Sequence, residues 1–415
     1  MIDPTNMVMY VLLFISLYYG VFLMITYFEK RLEMKRENIR TQIGPSHYPT
    51  VSILIPVWNE ETTLSKTVDS LLNLNYPKDK LKILIIDDGS TDRTWEVMKQ
   101  FENNPQIELY HKENGGKHNA LNFGLTKITT DLVGCLDADS YVDPQALRTI
   151  VSYFEDSEVM AVTPSVRIYN PKKIIELMQK VEYGWGIFVR KMLSYMGALY
   201  VTPGPFSIFR KEVFENLGGY RKAHMTEDLE LALRMQTNRY KIANAHEAFV
   251  FTVAPNTLHK LYKQRLRWTY GFLQNIMDYR FLFFKKKYGN LGVFVLPFMS
   301  ISLFSLLYLV TTSLVGIGKA ITHEIVKIKT VGLYFTFHGF DFNWFSINTE
   351  FFAILSSIAF CFTLLTIFIS RKMTEGNVRV GMDILYFVTF YSFIAPLWIA
   401  KAVYNTIFSV KTSWR

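Results

Sequence analysis

Apolar residues gather at the two ends of this chain, and that unevenness restricts its possible folds more than any other feature. Met7 to Phe28 is a nearly uncharged run of about 22 residues, long enough to cross a hydrocarbon core of about 30 Å as a helix. Three more runs of spanning length lie at roughly 291–318, 350–370 and 384–409. The first run lacks the small-residue cleavage site of a signal peptide and reads as a retained anchor. At 415 residues the chain is long enough for two domains, one of them with a full hydrophobic core.

The formal net charge is +9, and its clusters at Lys30-Arg31, Lys35-Arg36 and Lys285-Lys286-Lys287 each adjoin an apolar run. Basic residues collect on the cytoplasmic side of membrane spans, so these clusters and everything between them are expected in the cytoplasm, at a plasma membrane. They suit the anionic headgroups of a lipid bilayer. A nucleic-acid groove would need a basic stripe interleaved with aromatics; none is present, and nucleic acid is not an expected partner. Cys135 and Cys361 lie far apart in apolar segments, which argues against a disulfide or a cysteine metal framework.

Between the apolar ends, strand and helix patterns alternate. Residues 30–49 are polar and basic, as a linker would be. Val51–Val57 reads as a buried strand, followed by Trp58-Asn59-Glu60 and a helical stretch from Glu61 to Leu74. Leu81–Ile86 is a second strand, ending in Asp87-Asp88-Gly89-Ser90 before a helix. Ile107–His111 is a third, and Asn114-Gly115-Gly116-Lys117 forms a glycine-bearing turn into a helix from Ala120 to Lys127. The fourth occupies Asp131-Leu-Val-Gly-Cys-Leu-Asp137-Ala-Asp139, and Val159–Thr163 adds another strand. This rhythm predicts an α/β domain with a mostly parallel, doubly wound sheet inserted between transmembrane helices. No phosphate-loop or dinucleotide glycine signature follows the first strand.

Glu60, Asp87/Asp88 and Asp137/Asp139 thereby fall at strand ends along one rim, where open α/β sheets bind ligands. Alternate residues of an extended segment face one way, so Asp137 and Asp139 can aim carboxylates at one point, about 6–7 Å apart along the chain. Hard oxygen ligands so placed suit Mg²⁺ or Mn²⁺ that also holds phosphate oxygens. A nucleotide further needs acceptors for its base and ribose, which Asp88 offers, and donors for phosphate, which Lys117 and the Gly115-Gly116 amides offer. Each segment alone is also compatible with an ordinary turn.

Later segments are less regular. Residues 171–200 carry apolar positions at helical spacing with lysines and arginines between them, which suits either a helix in the membrane interface or a core-facing helix. Gly204-Pro205 opens a turn and a strand. In Thr226-Glu227-Asp228 the threonine would cap a helix and the acids would favour its positive end; a carboxylate there can also act as a general base. Gln264-Arg265-Leu266-Arg267-Trp268 precedes the second apolar run. Its arginine can neutralise a diphosphate and its tryptophan can stack on a sugar ring, although a juxtamembrane helix uses the same residues. The expected organisation is an N-terminal anchor (1–29), a basic linker (30–49), a catalytic domain (50–255), interface helices (256–290) and a C-terminal membrane region of about three spans (291–415). A helix break at Pro396 would change the number of crossings.

Taken together, Asp-Asp-Gly-Ser, Asp-Ala-Asp, Thr-Glu-Asp and Gln-x-x-Arg-Trp, in that order from Val51 to Trp268, resemble the membrane-embedded processive glycosyltransferases of family 2, which include synthases of cellulose, chitin, hyaluronan and poly-N-acetylglucosamine. The resemblance implies the nucleotide-sugar transferase fold called GT-A. It implies that Asp87 and Asp88 contact the uridine of a UDP-sugar, that Asp137 and Asp139 serve the diphosphate with Asp139 as metal ligand, and that Asp228 deprotonates the acceptor hydroxyl. Glu60, Lys117, Gly204 and Glu227 fall among the substrate contacts, while Gln264, Arg267 and Trp268 hold the acceptor and the diphosphate. The implied reaction is an inverting transfer onto a growing β-linked polysaccharide, poly-N-acetylglucosamine-like, coupled to export and with room for an accessory membrane subunit. Two other readings stand beside it: a transferase adding one sugar to a lipid carrier or glycolipid, and a non-catalytic subunit that binds nucleotide sugar within a secretion complex.

Overall fold

Strands with no polar face must be covered on both sides, and this accounts for the layering. The computed structural model describes residues 4–332, 351–376 and 381–410; segments 333–350, 377–380 and 411–415 of the C-terminal membrane region lie outside the described residues. The chain opens with α1 (Pro4–Ile43), then runs through β1 (Val51–Val57), α2 (Leu64–Leu72), β2 (Leu81–Asp88), α3 (Thr94–Lys99), β3 (Ile107–Lys112), α4 (Lys117–Leu125), β4 (Leu132–Cys135) and β5 (Ser140–Val142). It continues with α5 (Ala146–Tyr153), β6 (Val159–Ile168), α6 (Ile174–Tyr195), β7 (Ile208–Arg210), α7 (Lys211–Leu217), α8 (Glu227–Thr237), β8 (Lys241–Thr252) and α9 (Leu258–Asp278). Last come α10 (Leu296–Val331), α11 (Phe351–Glu375), α12 (Met382–Tyr386) and α13 (Ser392–Ile407).

The eight strands form one sheet in the order β3-β2-β1-β4-β7-β6-β8-β5. The first four are parallel, with Val51 opposite both Leu81 and Leu132, so the C-terminal ends of β1, β2 and β4 reach the same rim. β7 runs antiparallel to β4 and β6, and β5 antiparallel to β8. The sheet is mixed. Successive residues of β1 serve opposite faces: Ile53 and Ile55 join a core with Leu64 and Leu71 of α2 and Ile150 of α5, whereas Leu54 joins a second core with Leu121 of α4 and Leu231 of α8. Each such aliphatic, fully buried, contributes about 1.5–3 kcal/mol.

The second core does not stop at the domain boundary. It takes in Phe188 and Met192 of α6, Leu23 and Met24 of α1, and Leu291, Val295 and Leu296 at the entry to α10. The α/β domain is thus packed directly on the apolar helices. Among the described residues, four helical segments are long and apolar enough to cross a membrane: Met7–Ile43, Leu291–Thr330, Ala353–Glu375 and Met382–Ile407.

Several local expectations change. Residues 30–43, expected as linker, continue α1 as helix, which ends at Ile43. There Lys191 donates from Nζ to Glu37 Oε2 (2.6 Å), as does the Tyr195 hydroxyl (2.8 Å). Of the two readings left open for α6, the structure buries Met178, Val181, Ile187, Phe188, Met192 and Leu193 against the domain and α11. Pro396 does not break its helix; it lies inside α13. A π-helical turn, Phe387–Tyr391, precedes that helix.

Candidate active site

The rim is assembled from loops that follow β1, β2 and β4. Thr67 of α2 donates from Oγ1 to Ala138 O (2.8 Å), and Ser140 N donates to Asp137 O (3.0 Å), which fixes the Asp-Ala-Asp turn. From the first turn of α4, Lys117 Nζ lies 2.7 Å from Asp137 Oδ1 and 3.1 Å from Glu227 Oε1. One ammonium therefore joins the β4 loop to the start of α8, Asp137 and Glu227 being 90 positions apart in the sequence. At Gly204 a Cβ would stand 2.9 Å from Lys117 Nζ and 3.2 Å from Asp137 Oδ2, so the glycine keeps the space around that pair open. Lys117, Cys135, Thr202, Gly204, Glu227 and Asp228 line one small cleft. Thr202 secures Asp228 by donating from Oγ1 to its carbonyl (2.8 Å).

Unequal environments separate the two acids of α8. Burial and the neighbouring Glu227 push Asp228 up to about 6. Glu227 is also buried, yet Lys117 holds it below the usual carboxylate range. Lys117 itself is kept well above its ordinary value by Asp137 and Glu227, against a partial loss of solvent. Asp228 is thus suited to take a proton, and Glu227 to remain an anion. Burial, reinforced by Asp137 and Glu60, raises Asp139 to about 6, and burial followed by Asp137 raises Glu60.

Asp87 and Asp88 end β2 on the same rim, with their carboxylates already hydrogen-bonded. Asp87 accepts from Ser90 N (3.0 Å) and its Oδ2 lies 2.7 Å from His111 Nδ1. Asp88 accepts from Lys112 Nζ (2.7 Å) and from the amides of Gly115 (3.0 Å) and Gly116 (2.7 Å). These bonds draw the glycine turn, with Gly116 at φ 86°, against the end of β2. Glu60 accepts from the Thr63 hydroxyl at 2.5 Å.

On α9, Trp268 exposes 37% of its surface, and the Arg265 guanidinium packs 4.2 Å from its ring centre. Gln264 Oε1 accepts from Arg265 at 2.5 Å. Arg267 contributes to holding Glu227 ionised, and its Nε is buried with no protein partner. That guanidinium retains a donor for an anion. Sequence reasoning passed over Arg265, which is buried against Glu182 (2.5 and 3.0 Å) and the Tyr391 hydroxyl (3.3 Å) and fixes α9 to α6 and to the last membrane segment.

Asp137, Asp139 and Glu60, with Asp139 and Glu60 raised, form a hard-oxygen donor set carrying surplus negative charge, the chemistry a divalent cation requires. Among the described residues, a different trio, Glu37, His246 and Glu247, brings three ligand atoms within 4.8 Å of one another. Its negative charge is already met by Lys191, and Tyr153 donates to Glu247 at 3.0 Å. It reads as a polar seam between α1 and β8 rather than a metal centre.

The class these features define is a mixed α/β fold with an acidic rim, packed on helices long and apolar enough to cross a membrane. Residues 52–218 match the family model described as Glycosyl transferase family 2. The chain is 32% identical over 269 residues to the poly-beta-1,6-N-acetyl-D-glucosamine synthase of Staphylococcus aureus, covering 64% of this chain and 65% of that protein, just short of two thirds of its length. The synthase of that name from Staphylococcus epidermidis is 28% identical over 390 residues, 93% of this chain and 90% of the relative. Among solved structures, a mannosyltransferase of Pyrobaculum calidifontis, in complex with GDP-Man and Mn²⁺, superposes with a TM-score of 0.59 at 17% identity, covering 96% of this chain and all of that one. The shared feature is the fold.

Proposed function

We propose that this protein is an inverting glycosyltransferase that moves N-acetylglucosamine from a UDP-sugar to the end of a growing β-linked polysaccharide at the cytoplasmic face of the plasma membrane. The observation that carries it is the junction at Lys117, which brings the Asp-Ala-Asp loop and the Glu227-Asp228 helix start together on one rim. The printed names of the staphylococcal relatives support the sugar and the polymer.

In this reading Asp88, Asp87 and the Gly115-Gly116 turn receive the uridine, and Arg267 receives diphosphate charge on its free donor. Asp139 and Asp137 would hold Mg²⁺ or Mn²⁺, which when bound neutralises the leaving diphosphate. Trp268 offers the acceptor sugar an apolar face, Gln264 hydrogen-bonds it, and Asp228 removes its hydroxyl proton as the new glycosidic bond forms and the bond to UDP breaks. Glu227 stays ionised and keeps Lys117 in place. No covalent enzyme intermediate is required.

The test is to incubate the purified protein in lipid nanodiscs with a panel of UDP-sugars and either cation, then size the labelled product. A polymer or ladder from UDP-N-acetylglucosamine is expected. A single lipid-soluble adduct would replace this reading with transfer to a lipid carrier, and nucleotide-sugar binding without turnover would replace it with a non-catalytic subunit.

A further inference from the structure

The helix that carries Gln264, Arg267 and Trp268 also grips the segment that presents Asp228. Thr226 stands at the N-cap of α8, where a threonine hydroxyl ordinarily accepts from a backbone amide of the first turn. Here it makes no capping bond, contrary to the expectation from sequence. Its hydroxyl instead donates to Ala223 O (3.2 Å) and accepts from Asn275 Nδ2 of α9 (2.9 Å). The same Nδ2 also donates to the carbonyls of Gly271 (2.9 Å) and Ala223 (3.4 Å). Asn275 is 1% exposed, and its Oδ1 is buried without a partner, a cost that packing alone gives no reason to retain.

Gly271 permits this approach. A Cβ there would stand 2.5 Å from Cγ2 and Oγ1 of Thr226. The turn being gripped is strained, with φ of 31° at Ala223 and 52° at His224, a backbone that residues other than glycine keep only when their surroundings enforce it. His224 Nε2 adds a contact with Asp278 Oδ2 at 3.0 Å, near the end of α9.

We propose that Asn275 and Gly271 are positioning residues: through Thr226 they set Asp228 at a fixed distance from the acceptor surface of Gln264 and Trp268. Seven positions separate Trp268 from Asn275, about two helical turns, so both act from one side of a single rigid element. The base then meets the acceptor hydroxyl in preference to water. This rests on the reading of Asp228 as base.

The experiment compares UDP release with sugar incorporation in the full-length protein in nanodiscs, for wild type, Asn275→Ala, Thr226→Val and Thr226→Ser. Misplacing a catalytic group by about 1 Å costs on the order of 100-fold, so incorporation in Asn275→Ala and Thr226→Val is expected to fall by about 10- to 100-fold. The KM for the UDP-sugar should change by less than about two-fold, since donor contacts are untouched. UDP released per sugar incorporated should rise, because water replaces the misplaced acceptor. Thr226→Ser, which keeps the hydroxyl, should restore the wild-type ratio. The double variant should be no worse than either single one. Should Asn275→Ala fail to accumulate, Thr226→Val, which keeps the shape and removes only the hydroxyl, decides the matter alone. Release and incorporation falling together at a constant ratio would mean simple destabilisation and would overturn the proposal. If wild type releases no UDP from any sugar, the transferase reading fails first and takes this one with it.

Discussion

Two adjacent carboxylates, Glu227 and Asp228, are separated in role by one lysine. Lys117 contacts Glu227 directly and holds it ionised, while burial and that same glutamate raise Asp228 to about 6. Asp228→Asn should therefore retain UDP-sugar binding by calorimetry yet lose about 10²- to 10⁴-fold in transfer, the range a positioned general base supplies. The pH dependence follows with a definite sign. Asp228 is protonated below about 6, so kcat/KM measured against acceptor should fall roughly tenfold per pH unit below that point and level off above it. Because Lys117 lowers the Asp228 value, Lys117→Met should move the acid limb to higher pH, and a shift to lower pH would contradict the assignment. Much of this site was legible in the sequence. Period-two spacing marked Asp137 and Asp139, and the position of Glu227 and Asp228 at a helix start followed from capping preferences. The lysine bridge was not, because it depends on α4 and α8 meeting across the second core, and no local pattern encodes that.

At the scale of elements, β1, β2 and β4 could be read because each has a nearly unbroken apolar stretch, and the edge strand β3 because Ile107 and Leu109 alternate with polar residues. β8 could not, since its interior carries Asn244 and His246, both buried, which interrupt any strand period. Asn244 becomes tolerable only beside β6, where its Nδ2 donates to Thr163 Oγ1 at 2.9 Å. Polar residues likewise disguised the inner half of α1. Glu37 suits a linker until Lys191, 1% exposed, and Tyr195 are placed on it. An ion pair buried to this degree is costly to break from one side, because the remaining charge stays out of water. Lys191→Met should accordingly destabilise the protein by about 3–5 kcal/mol, seen as a lowered thermal midpoint in detergent. Adding Glu37→Gln should recover part of that loss; a midpoint unchanged by Lys191→Met would show that α1 is not docked through this pair.

For the molecule as a whole, the contacts of the α/β domain set the expectation for which helix ends share its side of a bilayer. Lys180 of α6 lies 2.8 Å from Glu375 at the end of α11, Arg371 pairs with Asp383 at the start of α12, and Trp185 donates to Thr366 Oγ1 at 3.3 Å. The end of α11 and the start of α12 are therefore fixed against the domain. α10 leaves the same domain at Leu296 and continues for 36 residues, about 54 Å at 1.5 Å per residue, against a hydrocarbon core of about 30 Å. Its final turns, with Lys319, His323, Glu324 and Lys327, are too polar for that core and are expected to emerge on the opposite side. With the basic clusters at 30–36 and 285–287 assigned to the cytoplasm, single cysteines in a Cys361→Ser background report the arrangement, since Cys135 is buried. Asn103→Cys on the domain and Lys372→Cys on α11 should react with an impermeant maleimide only after cells are opened. Lys327→Cys should react in intact cells. Labelling of Lys372→Cys from outside would contradict the docking of α11 on the domain.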